Sequence, residues 1–238
     1  MPKDTSKPKK IEAAFFDVDN TIVRGSSTFM FGLTAFKHGF FTRKDLYRFG
    51  WQQFKFIRMG ESPKSMSQVL DNALPLIGGH KVEDFKAMSD EVYREQISKR
   101  LWPETVRIAQ QHVKEGREVW LVTAAPLEIA EKIAQELGLT GGLGTMVARE
   151  NGIFTGKLVG KPLHGKAKRK AIKALAEERH ISLKRSFAYS DSANDLPMLT
   201  MVGKAVAVNP DKLLEQHAKA AGWQILDFKK RELKVHKK

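Results

Sequence analysis

The 238-residue chain contains no cysteine, which removes disulfides, zinc–thiolate sites and thiol nucleophiles from its chemistry. It has no apolar run near the roughly 20 residues that a membrane-spanning helix needs. Its first ten residues are polar and basic and lack the apolar core of a signal peptide. Together these absences set the expectation of a soluble, cytoplasmic protein. Acidic residues are few: 27 Asp and Glu stand against 41 Lys and Arg, a formal charge of +14. Such an excess favours anionic partners, namely phosphorylated small molecules, nucleic acid or an anionic membrane surface. A solvated basic surface with basic tails at 3–10 and 229–238 would account for the charge equally well. Apolar residues make up 42% of the chain, enough to build a core, so disorder throughout is excluded.

What is present is a set of short apolar runs. Residues 11–16 form a run rich in Ala and Phe that leads into Asp17-Val18-Asp19-Asn20-Thr21, which reads as a buried strand delivering two acids into a loop. Residues 119–122 form a second such strand ending at Thr123, residues 186–189 a third leading to Ser190-Asp191-Ser192, and residues 204–208 a fourth closed by Asn209-Pro210. Amphipathic helical patterns at 104–115, 126–137 and 168–179 separate them. This alternation predicts an α/β fold, a doubly wound parallel sheet with helices on both faces. In such sheets ligands bind beyond the carboxyl ends of the strands, where the chemically distinctive residues of this chain fall.

Between Gly25 and Trp102 the pattern changes to helical stretches at 44–58 and 82–100, with a turn at Gly78-Gly79. The expected organisation is therefore a core of 1–25 and 103–238 with a helical cap inserted at 26–102; further helical core is the alternative. Ten of the 21 aromatic residues lie between Phe29 and Phe56, so this segment either packs a small core of its own or lines an apolar substrate pocket. Residues 146–158 read as a hairpin turning at Asn151-Gly152, a dipeptide suited to a type I′ turn.

Asp17 and Asp19 stand two apart at a strand end. Paired carboxylates repel unless a cation joins them, and magnesium suits such oxygen ligands while leaving room for a phosphate. One carboxylate can attack phosphorus while the other handles protons on the leaving group; an Asp-rich surface turn is the plainer reading. Asp191 and Asp195 form a second acid pair after a neighbouring strand. Thr123, ahead of Ala124-Ala125-Pro126 and a helix, reads either as an anion site or as an ordinary helix cap. Lys166 and Lys168 open the helix whose apolar face is Ala171, Ile172 and Leu175. Lys168 precedes those residues by three, four and seven positions, which places it on the buried edge and turns Lys166 away.

The ordered set Asp17-Val18-Asp19-Asn20-Thr21, Thr123, Lys168 and Asp191 to Asp195 resembles the haloacid dehalogenase superfamily. Ser190-Asp191-Ser192-Ala193-Asn194-Asp195-Leu196-Pro197-Met198 looks like its phosphoserine phosphatase branch, subfamily IB. The resemblance implies a magnesium-dependent phosphomonoester phosphatase acting on a small phosphorylated metabolite or lysophospholipid. Asp17 would be the nucleophile, forming an aspartyl-phosphate, and Asp19 the acid and then the base. Asp17, Asp19 through its backbone carbonyl, and Asp191 would hold Mg²⁺. Thr123, Ala124 and Asn194 would bind the phosphoryl group. Lys168 would bind it too while restraining Asp17, and Asp195 would orient Lys168 or water. Ser26 stands nine residues after Asp17, where phosphoserine phosphatases carry an acid that pairs with the substrate amine; this departure argues against phosphoserine. A phosphotransferase using the same intermediate and a basic nucleic-acid-binding protein on this scaffold are the alternative functions. The acid set disfavours the second of these, because it would repel a phosphate backbone.

Overall fold

The computed structural model describes residues 11–40, 47 and 74–228. Its centre is a six-stranded sheet, every adjacent pair parallel, in the order β3-β2-β1-β6-β7-β8. The strands are β1 (Ala13–Phe16), β2 (Glu118–Pro126), β3 (Gly141–Thr145), β6 (Phe187–Ser190), β7 (Lys204–Val208) and β8 (Gln224–Leu226). A separate antiparallel pair, β4 (Val147–Glu150) and β5 (Ile153–Leu158), forms a hairpin. The helices that position the site are α1 (Ser27–Lys37), α2 (Val82–Val92), α3 (Pro103–Lys114), α4 (Leu127–Glu136), α5 (Lys166–Glu178), the short α6 (Leu196–Leu199) and α7 (Lys212–Ala221).

The doubly wound reading holds. All four residues of β1 are fully buried, because it is central and covered on both faces. Its side chains alternate between two apolar clusters. Ala14 and Phe16 join Val119, Leu121, Ile129 and Ile133 on one face. Ala13 and Phe15 join Val122, Ile172, Leu175, Met198 and Leu214 on the other. Burying one such phenylalanine contributes about 1.5–3 kcal/mol. From β1 the sheet grows through β2 to β3 on one side and through β6 to β8 on the other. The order reverses beside β1, which opens a crevice at the carboxyl ends of β1 and β6.

Two strands escape the sequence pattern. β3 reads Gly-Gly-Leu-Gly-Thr and shows no apolar alternation. Its glycines are there for packing: a Cβ at Gly142 would lie 2.6 Å from the Ala130 carbonyl carbon, and one at Gly144 2.5 Å from the Leu127 Cα, so α4 rests directly on the strand backbone. β8 has three residues at an edge, too few for a period. β2 is also longer than expected. It continues through Thr123 to Pro126, shifting register against β3 between Val122 and Pro126, and α4 starts at Leu127. Helices α1 and α7 are not picked out by the sequence pattern, and the expected helix at 82–100 passes from α2 into a π turn (Tyr93–Ile97) and a 3-10 turn (Ser98–Arg100).

The hairpin turns where expected. Asn151 and Gly152 both have positive φ, 50° and 78°, as a type I′ turn requires. The hairpin is joined to the helical segment by backbone bonds from Gly79 N–H to Phe154 O (2.8 Å) and Val82 N–H to Gly152 O (2.9 Å), and Phe154 packs 4.8 Å from the Phe85 ring. The stretches around Arg24 and Arg100 run beside each other. Arg24 N–H bonds Arg100 O at 2.7 Å, and Trp102 N–H bonds Ile22 O at 2.8 Å. Met30, Phe31, Phe85 and Val92 share one apolar cluster with Phe16 and Leu121. The helix expected at 44–58 (apart from position 47), half of the aromatic group and both basic tails lie outside the described residues.

Candidate active site

The site forms where β1 and β6 end. Asp17 follows β1 directly, and its backbone N–H extends the parallel ladder by donating to Tyr189 O at 2.9 Å. Beyond it the chain turns tightly. Val18 O accepts from the N–H groups of Ile22 and Val23, both at 2.9 Å, and Asn20 takes a positive φ of 59°. Asn20 Oδ1 accepts from Gly25 N–H at 3.0 Å and closes the loop. Asn tolerates the left-handed conformation and bonds nearby backbone, so this residue type suits the turn.

Lys168 lies in the first turn of α5 and is 3% exposed, whereas Lys166 is exposed. The Lys168 ammonium donates to Asp17 Oδ1 at 2.5 Å and to Asp195 Oδ2 at 2.7 Å. Ser190, the last residue of β6, donates its hydroxyl to the same Asp195 oxygen at 2.8 Å. Asp195 is thus a buried acceptor that orients the lysine.

Burial pushes the Asp17 carboxyl up to about 7; Lys168 pulls it down, and the Asp195 and Asp19 carboxylates add to the rise. Burial disfavours the Lys168 ammonium, but Asp17 and Asp195 more than offset this and hold it above its ordinary value. Asp19 is partly exposed. Desolvation raises it, and hydrogen bonds from Ser27 oppose the rise.

Asp191 and Asn194 sit on the loop after β6. The Asp191 carbonyl accepts from Asp211 N–H at 2.7 Å, and Asp211 Oδ2 accepts from Ala193 N–H at 2.8 Å. Asn194 Nδ2 donates to Ser192 Oγ at 3.2 Å. Thr123 is buried, and its hydroxyl accepts from Ala125 N–H at 3.1 Å. The Ala124 carbonyl accepts from the Thr145 hydroxyl at 2.7 Å. Because β2 runs on to Pro126, Thr123 lies within the strand, and the N-cap of α4 is Pro126. The helix begins at Leu127, within one residue of the start at 126 read from the sequence, and Thr145 of the unrecognised β3 binds the carbonyl of Ala124 in the extended stretch before it. Ser26 is the N-cap of α1 and accepts from Phe29 N–H at 3.3 Å.

The sequence reading missed three residues that hold this arrangement: Ser27, Ser190 and Asp211. A serine eight residues after Asp19, a serine at a strand end and an aspartate after Asn209-Pro210 carry no distinctive spacing, and only the fold brings them to their partners.

The comparisons with known proteins agree with the geometry. The sequence model of the haloacid dehalogenase-like hydrolases matches residues 14–200. The chain is 46% identical over 218 residues to a protein of Mycobacterium tuberculosis named phosphoserine phosphatase SerB1, covering 91% of this chain and 71% of that protein. It is 29% identical over 221 residues to a histidinol-phosphatase of Neisseria meningitidis, covering 91% of this chain and 98% of that protein. A crystal structure of a protein of unknown function from Bordetella pertussis superposes with a TM-score of 0.80 at 25% identity, over 92% of this chain and 99% of the other. A family match spanning most of the chain, joined to a 46% identical relative, places this chain in the haloacid dehalogenase-like hydrolase family and, within it, among the phosphatases.

Proposed function

We propose that this phosphatase hydrolyses a small phosphomonoester through a covalent phosphoryl ester on Asp17, with Mg²⁺ as cofactor. The observation that carries the reading is the buried Asp17–Lys168–Asp195 array at the sheet's reversal point. Asp17 stands where a carboxylate oxygen can attack phosphorus. Lys168 holds that carboxylate in place and offers positive charge to the transferring phosphoryl oxygens. Asp19 gives its proton to the leaving oxygen, then takes one from the water that splits the ester. Thr123, Ala124 and Asn194 line the phosphoryl end, and Ser26 lies toward the leaving group.

The charge balance fits a divalent cation. Asp17, Asp19 and Asp195 interact with one ammonium, that of Lys168, which leaves two negative charges when all three are ionised. The donors are hard oxygens, as magnesium prefers. The proposed ligands are the Asp17 and Asp191 carboxylates with the Asp19 carbonyl. When bound there, Mg²⁺ would neutralise charge on the phosphoryl oxygens.

The inserted segment at 26–102 is proposed as a cap that closes over the substrate. Its entry and exit are the paired stretches around Arg24 and Arg100, a suitable place for two chain crossings to bend together.

Phosphate release from phosphoserine, histidinol phosphate, sugar phosphates and lysophosphatidate, with Mg²⁺ and with EDTA, tests the reading. The first two compounds enter the panel because relatives bear their names. Metal-dependent turnover of one compound, lost in Asp17→Asn with folding unchanged, is expected. Turnover that survives Asp17→Asn would overturn the assignment of the nucleophile. Adding alcohols during turnover separates hydrolysis from phosphotransfer, since only the latter yields new esters.

A further inference from the structure

Asp19 is held most closely by Ser27, through two bonds, with a weaker side-chain hydrogen bond from Ser26. Its Oδ1 accepts from the Ser27 N–H at 2.9 Å and from the Ser27 hydroxyl at 2.5 Å. Ser27 is fully buried and is the first residue of α1, with Ser26 capping the helix before it. The turn between Asp19 and Ser27 is itself fixed, closed by the Asn20 bond to Gly25 and by the backbone bonds to Val18 O. Any residue but proline at position 27 supplies the N–H, but only a side-chain donor such as the hydroxyl supplies the second and shorter bond. A carboxyl with two donors on Oδ1 is locked about its terminal torsion, which is otherwise broad. It is then Oδ2 that remains to face a substrate.

We infer that Ser27 is a positioning residue for the acid step: by occupying Oδ1 of Asp19 it fixes the carboxyl so that Oδ2 delivers the proton to the leaving-group oxygen. In that step an Asp17 oxygen forms a bond to phosphorus and the bond from phosphorus to the ester oxygen breaks. The proton on Asp19 Oδ2 passes to that oxygen, so an alcohol departs and Asp19 is left as a carboxylate. The inference rests on the proposed role of Asp19. It adds that the start of α1, the first element of the inserted segment, sets the geometry of the acid, so a shift of that segment would carry the acid with it.

The test uses leaving groups of different quality. An alkyl phosphate needs its oxygen protonated as it leaves, whereas p-nitrophenyl phosphate does not. The constant kcat/KM covers the steps through formation of the Asp17 ester and excludes its hydrolysis. Ser27→Ala is expected to lower kcat/KM about tenfold or more on the best alkyl ester of the panel, a fraction of the ~10²–10⁴ that general acid catalysis supplies. It should change kcat/KM for p-nitrophenyl phosphate by less than about threefold, and Ser27→Thr, which restores a hydroxyl, should recover most of the loss. Thermal unfolding of both variants checks that each is folded. An equal loss on both esters, or no loss on either, would overturn the role of Ser27. Asp19→Asn, measured alongside, separates the two claims. If it spares p-nitrophenyl phosphate and Ser27→Ala does not, the positioning role fails alone. If it depresses both esters equally, Asp19 is not the acid and the underlying reading fails with it.

Discussion

Lys168 approaches Asp17 to 2.5 Å inside the protein, and the bond is available only because helix α5 turns position 168 inward and position 166 outward. The pair is not an ordinary surface ion pair. The ammonium is shared with Asp195, and water is largely excluded from all three groups. Such an arrangement makes a small contribution to stability compared with an apolar replacement, yet losing one partner leaves a buried charge uncompensated. In the proposed mechanism it holds charge where phosphoryl transfer needs it.

Lys168→Ala is therefore expected to lower kcat by about 10²–10³-fold, the usual cost of removing one preorganised donor. Lys166→Ala should stay within about threefold of the parent enzyme, because surface substitutions away from a site are close to neutral. Steady-state phosphate release on the preferred ester measures both, and a larger loss at 166 than at 168 would contradict the helix orientation.

Asp211 braces the loop that carries Asp191 and Asn194. Its Oδ1 caps α7 through Leu214 N–H at 2.7 Å, its Oδ2 takes Ala193 N–H, and its own N–H reaches the Asp191 carbonyl. Asp211→Ala should cost about 1–2 kcal/mol in urea unfolding, the upper range for a lost N-cap. It should also raise the Mg²⁺ concentration for half-maximal activity, since the loop bearing Asp191 is loosened. Asp211→Asn keeps a capping oxygen and should lose about half as much stability. Equal stability in the Ala variant and the parent would show that the loop does not depend on this brace.

A pH effect on stability follows from His112. The side chain is buried against Phe16 and Phe187, its Nδ1 faces the Arg117 guanidinium at 3.1 Å, and its Nε2 lies 2.8 Å from the Tyr189 hydroxyl. With Arg117 donating to Nδ1, the neutral ring carries its proton on Nε2 and donates it to Tyr189. Burial first, then Arg117, pulls the imidazole down to about 4; Lys204 adds to the fall and Glu115 opposes it. In the unfolded chain the group titrates near 6.5. The unfolded state therefore binds a proton that the folded state refuses, so stability is complete above pH 6.5 and falls as pH drops toward 4. Unfolding free energy should decline by about 2 kcal/mol from pH 7.5 to pH 5 on this account. His112→Gln should flatten that slope in denaturant titrations at the two pH values; an unchanged slope would assign it to other groups.

The sequence by itself determined the alternation of buried strands and amphipathic helices, and with it the parallel sheet. It also placed Asp17, Asp19, Asp191 and Asp195 at strand ends and picked Lys168 over Lys166. These features are local. Strand burial shows as an apolar run, helix orientation as a 3.6-residue period, and a hairpin turn as Asn151-Gly152, whose backbone both residues can adopt. Tertiary structure alone decided the rest. β3 is a strand because α4 lies on its glycines, a contact with no trace in local pattern. Because β3 exists, Thr145 binds the Ala124 carbonyl of a β2 that runs past the expected strand end at Thr123 to Pro126. Ser27, Ser190 and Asp211 are common polar residues whose roles depend on partners brought within hydrogen-bond distance by the fold. A hydrogen bond depends on tenths of an ångström, and side chains from different elements meet at that distance only after the sheet and helices have packed.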